Sequence, residues 1–180
     1  MSRYIRLRRE GGLYFFTLVT HNRCPFMTSE LSRNCLRAAW KETQSLYPFD
    51  IVAVCVLPDH LHCIWRLPEK DDAFPKRWQK LKSLFTHAYL KAGGKEGQPT
   101  VRQQKKGERA VFQPRYYEHS IRDQEDLKRH FDYIHYNPVK HGLTQSASAW
   151  PWSTFHKYVK MGWYDTDWDL SPDAPDLDLE

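Results

Sequence analysis

The sequence predicts an α+β fold, a ferredoxin-like split β-α-β sandwich with an antiparallel sheet. Segments dense in aromatic and β-branched residues are typical of strands, and they alternate with segments whose apolar residues recur at steps of three and four. The resulting order, β-α-β-β-α-β-α, matches this architecture, and we expect the helices to pack on one face of the sheet. The 180 residues suffice for one domain with a buried core and a C-terminal extension.

Four segments are predicted as strands. Residues 13–20 are rich in aromatic and β-branched side chains. A continuous apolar run fills 51–57, and an extended pattern resumes over 60–65 after Pro58-Asp59. These two neighbouring strands should form a hairpin. A fourth strand is expected over 110–121.

Three segments are predicted as helices. The first begins near Glu30, where either Thr28 or Ser29 can cap it, and ends before Pro48. The second spans 74–91 and is amphipathic and basic. The third is capped by Asp123 and should stop near Asn137, because the proline that follows disfavours a helical residue before it.

The remaining segments set the expected domain organisation. Residues 93–109 are basic and almost free of large apolar residues, which predicts a mobile loop. We expect the main domain to span 1–142 and an aromatic extension, 143–164, to pack on or near it. The acidic end, 165–180, is predicted to be a flexible tail.

The charge distribution favours a nucleic-acid partner. The net charge is +5, but all 27 Lys and Arg residues lie within 1–161 beside only 15 of the 22 acidic residues, an excess of twelve positive charges. A basic surface unrelated to DNA is the competing interpretation. The basic side chains expected to contact phosphates are Arg3, Arg6, Arg8, Arg9, Lys76, Arg77, Lys80, Lys82, Lys105, Lys106 and Arg115.

The sequence predicts no membrane span and no export signal. No run of eighteen apolar residues occurs, and the first residues lack an apolar signal segment. The four cysteines form no Cys-x-x-Cys pair and are interpreted as reduced thiols. We therefore expect a cytoplasmic protein with no membrane partner.

A His-x-His pair is the first candidate for chemistry. Residues i and i+2 of a strand point to the same face, so His60 and His62 can present two imidazoles side by side. Two such ligands suit a divalent metal, whereas a structural role for both histidines is the alternative.

Helix three carries a second candidate pair. Tyr133 and Asn137 are four residues apart and lie on one helical face. If this face packs over the histidine strand, Asn137 can be a third ligand and Tyr133 can point its hydroxyl at a bound phosphate. The alternative is an ordinary helix aromatic followed by a helix-ending residue. Three rival nucleophiles, each needing different packing, are Tyr116, Tyr117 and Tyr136.

Several blocks of the sequence together resemble a known family. They are LPDHLHCIW at 57–65, FQPRYYEH at 112–119, DYIHYNPVKHG at 132–142 and WPWSTF at 150–155. These blocks closely resemble the REP-associated tyrosine transposases, HUH single-tyrosine nucleases similar to the small transposases of single-strand-transposing bacterial insertion sequences. The resemblance covers about residues 14–155, and the long 93–109 segment and the acidic end depart from the family's pattern.

The resemblance implies a function and a set of roles. It implies an HUH nuclease fold, His60 and His62 as metal ligands, Tyr133 as nucleophile and Asn137 in the position of a third, polar ligand. The implied cofactor is Mg²⁺ or Mn²⁺, with no small-molecule cofactor. The implied reaction is cleavage and transfer of single-stranded DNA beside hairpins of repetitive extragenic palindromes, through a 5′-phosphotyrosine. We expect a monomer or a weak dimer.

Two other functions remain open from the residues. Exposed aromatics on a ferredoxin-like sheet, such as Tyr14, Tyr116 and Tyr117, could stack unpaired bases in a non-catalytic nucleic-acid-binding protein. Alternatively, His60 and His62 could serve a phosphoesterase that uses water as its nucleophile.

Overall fold

The structure of the protein is a computed structural model that describes residues 11–168. The basic leader and the acidic end beyond Trp168 lie outside these residues. The elements are β1 Leu13–Val19, α1 Glu30–Leu46, β2 Asp50–Val56, β3 His60–Arg66, α2 Phe74–Lys91, α3 Val101–Lys106, β4 Tyr117–Ser120, α4 Gln124–Lys140 and α5 Phe155–Lys160. None of the helices described is long and apolar enough to cross a membrane.

The sheet confirms the predicted fold class. Its four strands run in the order β2-β3-β1-β4, and each neighbouring pair is antiparallel. This is the strand order of a split β-α-β sandwich, in which β1 and β3 occupy the centre. The predicted hairpin of β2 and β3 is also confirmed.

Helices cover both faces of the sheet, so the expectation of a single helical face is wrong. Successive strand residues point to opposite faces. Phe16 and Trp65 face α1 and α2 in one core cluster, whereas Phe15 and Ile64 face α4 and α5 in another. Residues after 142, among them Phe155, Tyr158 and Tyr164, contribute to this second cluster.

Helix α4 continues through Pro138, and its predicted end near Asn137 is wrong. A proline removes one helical hydrogen bond, but here Asn137 and Pro138 are both buried. The amides of His141 and Leu143 donate to the carbonyls of Asn137 and Pro138. Tertiary packing and these bonds therefore extend the helix by a further turn.

The predicted mobile loop is ordered. Thr100 and Gln103 form a reciprocal capping box that begins α3, and Gln103 is buried. An ion pair between Arg109 and Glu96, 2.6 Å apart, fixes the segment that follows. The segment was predicted to be mobile because it has few large apolar residues. Local capping and one ion pair hold it in place instead.

The predicted fourth strand is shorter than expected. Only four residues pair with β1 as β4. The stretch before it instead forms an isolated bridge between Phe112 and Thr20, and the amide of Gln113 donates to Val19. This irregular path places Tyr116 against Trp78 rather than on the sheet edge.

Candidate active site

Strand β3 presents the His-x-His pair to the face that α4 covers. His60 and His62 are 2% and 0% exposed, and their ring centroids lie 4.8 Å apart. Leu61 and Cys63 point to the opposite cluster, as strand alternation requires.

Each histidine is oriented through its Nδ1 atom. Asp59 Oδ1 lies 2.6 Å from His60 Nδ1, and Thr17 Oγ1 lies 2.9 Å from His62 Nδ1. These contacts leave both Nε2 atoms on the inner side, which is the usual way in which supporting groups aim imidazole ligands. Sequence reasoning missed both supporting residues; the signal for Asp59 was a carboxylate directly before the pair.

The histidine and aspartate pKa values fit this arrangement. Burial lowers the pKa of His62 well below its usual value, and the nearby charges of His60, His141 and Lys140 lower it further. His62 is therefore a neutral imidazole near pH 7, the form that binds metals. Burial raises the pKa of Asp59, but hydrogen bonds from His60 and Arg23 outweigh it, so this carboxyl stays ionised.

Helix α4 brings Tyr133 to the same place. Its ring centroid lies 5.1 Å from that of His62 and 6.0 Å from that of Phe15, and the side chain is 1% exposed. Both aromatic contacts are edge-on, which fixes the ring against the sheet. The hypothesis that this face of the helix packs over β3 was inferred from spacing, and the structure has this packing.

Asn137 and the last turn of α4 complete the surroundings of the pair. Asn137 is fully buried, and a hydrogen bond between its side chain and His62 only partly opposes the lowering of that histidine's pKa. Lys140 Nζ lies 5.1 Å from the centre of the Tyr133 ring, and the His141 ring lies 5.2 Å from His60. Sequence reasoning missed Lys140 and His141 because it ended the helix before them.

The rival tyrosines lie elsewhere. Tyr116 packs on Trp78 and Phe16, on the other side of the sheet. The ring of Tyr136 faces Trp168. Tyr117 is on the correct face but at the edge strand, 51% exposed.

Two of the predicted phosphate contacts are contradicted. Arg77 is 2% exposed, and its guanidinium donates to Asp71 at 2.6 and 3.0 Å and to the carbonyl of Pro48. Lys82 donates to the carbonyl of Gln113 at 2.7 Å, and burial lowers its pKa to about 8. Both side chains are occupied within the chain, because helical periodicity shows which face is basic but not what packs against it.

The other basic residues are distributed around the molecule. Lys76 lies over the Tyr47 ring and Lys80 pairs with Glu42 at 3.7 Å, so both sit where α2 meets α1, across the sheet from Tyr133. Lys105 and Lys106 are exposed on α3, and Arg115 is exposed before β4. The four arginines of the leader, Arg3, Arg6, Arg8 and Arg9, lie outside the described residues.

A second group could also hold a metal ion. Ligand atoms of His119, Asp126 and His130 lie within 4.8 Å of one another. However, Asp126 already accepts hydrogen bonds from His119 Nε2 at 2.8 Å and from the amide and side chain of Arg122. This carboxylate therefore has most of its hydrogen-bonding capacity filled by the chain itself. Burial raises its pKa, but these hydrogen bonds outweigh burial and hold the pKa below the usual range.

A family model described as transposase IS200 like matches residues 11–137. The chain belongs to this family, and it is a transposase.

Two relatives and one solved structure are more specific than the family model. The chain is 44% identical over 174 residues to a protein of Haemophilus influenzae (strain ATCC 51907 / DSM 11121 / KW20 / Rd), which carries a provisional assignment as a REP-associated tyrosine transposase; the match covers 96% of both chains. It is 42% identical over 169 residues to the REP-associated tyrosine transposase of Escherichia coli (strain K12), covering 93% of this chain and 91% of the relative. A solved structure of a REP-associated tyrosine transposase bound to a REP hairpin is 41% identical, has a TM-score of 0.80, and covers 98% of this chain and 95% of the other. These relatives confirm the family resemblance.

Proposed function

We propose that this transposase cleaves and rejoins single-stranded DNA beside a hairpin, with Tyr133 as its nucleophile. The observation that carries the proposal is the contact between Tyr133 on α4 and His62 on β3, whose rings are 5.1 Å apart. The similarity to a transposase solved with a REP hairpin supports hairpin DNA as the partner.

His60, His62 and Asn137 fit a divalent cation, for which we propose Mg²⁺ or Mn²⁺. In the described part of the chain His60 Nε2 is buried without a hydrogen-bond partner, an arrangement that is unfavourable unless a ligand binds there. His62 is held neutral, and Asn137 adds an amide oxygen. When bound there, such a cation supplies Lewis-acid activation of the DNA phosphate.

The proposed reaction uses the tyrosine hydroxyl. Tyr133 Oη attacks phosphorus and loses its phenolic proton, the bond from phosphorus to the 3′ oxygen breaks, and the leaving 3′ oxygen takes up a proton from solvent to become a hydroxyl. The products are a 5′-phosphotyrosine and a free 3′-hydroxyl. An unperturbed tyrosine has a pKa of about 10, so a tyrosine hydroxyl needs activation by a base or a cation to act as a nucleophile near pH 7. Lys140 is the nearby cation, with its Nζ 5.1 Å from the centre of the Tyr133 ring. Because the new ester retains the energy of the old one, a DNA 3′-hydroxyl can reverse the step.

The burial of Tyr133 adds a requirement. The side chain is 1% exposed, so the space between α4 and β3 must open when DNA enters. Before DNA enters, the edge-on contacts with His62 and Phe15 hold the ring in one orientation. Pre-positioning of this kind is a large part of enzymatic rate acceleration.

The test is a cleavage reaction on a single-stranded hairpin oligonucleotide with Mg²⁺ or Mn²⁺, followed by denaturing electrophoresis and mass spectrometry. We expect a covalent adduct on Tyr133 that is lost in Tyr133→Phe, in His60→Ala and on adding EDTA. Tyr136→Phe is the matched control, because its ring faces Trp168 and not the histidines. Cleavage retained by Tyr133→Phe would instead favour water as nucleophile, and binding without any adduct would favour a non-catalytic binding protein.

A further inference from the structure

One large aromatic side chain stands exposed beside the proposed site. Tyr117 is 51% exposed, although its strand belongs to the sheet. Among the described residues, the other large hydrophobic aromatic exposed to this degree is Trp163, which lies in the C-terminal extension. A single exposed aromatic carries little meaning by itself, so its position relative to the site decides the argument.

The sheet register places Tyr117 in the same row as a histidine of the pair. Thr17 of β1 is directly opposite Tyr117 on one side and directly opposite His62 on the other. Directly opposed residues of antiparallel strands point to the same face. Tyr117 and His62 therefore share a face two interstrand spacings apart, about 10 Å between backbones.

Aromatic contacts connect the same points. The Phe15 ring lies 6.2 Å from Tyr117, 6.0 Å from Tyr133 and 5.6 Å from His62. Phe15 is 1% exposed and cannot itself receive a ligand, whereas half of Tyr117 is open. Within residues 11–168, β4 is the edge strand of the sheet, and no further strand of this part of the chain covers this side.

We propose that Tyr117 is a stacking site for one unpaired base of the single-stranded DNA that flanks the cleavage position. This inference rests on the proposed function, because the distance from His62 sets which base reaches the ring. An aromatic ring can stack on any of the four bases, and basic side chains attract the DNA phosphates between the cleavage position and the stacked base. Arg115, exposed two residues before Tyr117, is placed for a phosphate contact beside the stacked base.

Charge and strand length favour single-stranded DNA over a protein strand as the ligand of the surface beside Tyr117. A partner protein could add a strand at this edge, but β4 offers only four residues and lies in a body with a twelve-charge positive excess. A short edge strand is a poor template for strand addition, whereas single-stranded DNA needs only a ring face and nearby cations.

The test is binding of hairpin oligonucleotides whose single-stranded flank carries 2-aminopurine at one position after another. The wild-type protein should quench the fluorescence strongly at one position. Tyr117→Leu should remove that quenching and weaken binding roughly 5- to 150-fold, the affinity equivalent of about 1–3 kcal/mol per stacked base. Tyr117→Trp should retain both. Trp163→Leu is the control, since it removes an exposed aromatic whose ring packs on Phe131 and Tyr158 and not on Phe15, and it should change neither.

The outcomes separate this inference from the proposed function. Position-specific quenching that depends on Tyr117 supports the base site even if no adduct forms on Tyr133. Cleavage with quenching that Tyr117→Leu leaves unchanged overturns the base site and leaves the proposed reaction intact. A change of oligomeric state in Tyr117→Leu, measured by light scattering, with unaltered DNA binding would overturn it in favour of a protein contact.

Discussion

The hydroxyl of Tyr164 ties the C-terminal extension to the helix that carries Tyr133. It donates to Asp132 Oδ1 at 2.6 Å, and the oxygen of this hydroxyl lies 3.2 Å from His135 Nδ1. Burial raises the pKa of Tyr164, so the hydroxyl keeps its proton and remains a donor. On the far side of His135, Nε2 lies 2.8 Å from Thr154 Oγ1.

Tyr164→Phe removes this hydroxyl and little else. Tyr164 is 8% exposed, so the carboxylate oxygen left behind is not freely hydrated. The other oxygen of Asp132 keeps its contact with Lys128, 2.8 Å away. A hydrogen bond to a charged group contributes about 1.5–3 kcal/mol, and we expect a loss of about 2 kcal/mol in the free energy of unfolding. For a domain of this size that corresponds to a fall in Tm of roughly 4–8 °C.

Urea denaturation followed by circular dichroism measures this loss. Tyr47→Phe is the matched control, because Tyr47 meets Lys76 through its ring face and its hydroxyl has no hydrogen-bond partner in the described part of the chain. A loss below about 0.5 kcal/mol in Tyr164→Phe, or an equal loss in the control, would refute the assignment of the bond as a support of α4.

Three further outcomes follow from the same geometry. Asp59→Asn should weaken Mn²⁺ binding about 10- to 100-fold in titration calorimetry, because it loosens His60; an unchanged affinity would contradict this. Burial lowers the pKa of His135 to about 3 in the folded protein, whereas an unfolded histidine titrates near about 6.5. Between these two values only the unfolded chain binds the proton, so the free energy of unfolding should fall by about 1.4 kcal/mol for each pH unit as the pH drops from about 6.5 towards 3. His135→Gln should flatten this part of the profile of urea midpoint against pH. Lys82→Met should leave the salt dependence of DNA affinity unchanged, whereas Arg115→Ala should reduce its log–log slope by about 1; equal slopes in the two variants would refute this contrast.

The predictions that succeeded depend on local patterns. Alternation placed His60 and His62 on one face because side-chain direction along a strand has a period of two. The four-residue step placed Tyr133 and Asn137 on one helical face for the corresponding reason. The capping residues before Glu30 predicted the start of α1, and in the structure Ser29 is the cap, because its side chain accepts a hydrogen bond from the amide of Ser32.

The predictions that failed depend on tertiary contacts between segments that are distant in the sequence. Pro138 weakens a helix locally, but its burial against the rest of the fold outweighs that effect, and the extra turn brings Lys140 and His141 to the site. Arg77 and Lys82 belong to a basic helix by sequence, yet Asp71 and the carbonyl of Gln113 take their donors.

By itself the sequence determined the fold class, the strands and helices that frame the sheet, and the residue types able to perform phosphoryl transfer. Those properties follow from local periodicity and capping, which the order of residues encodes directly. Only the tertiary structure decided that Asp59 and Thr17 orient the histidines, that Tyr133 meets His62, and that the residues after 142 form part of a second core. These contacts join residues far apart in the chain, and their geometry exists only once the sheet and helices have packed.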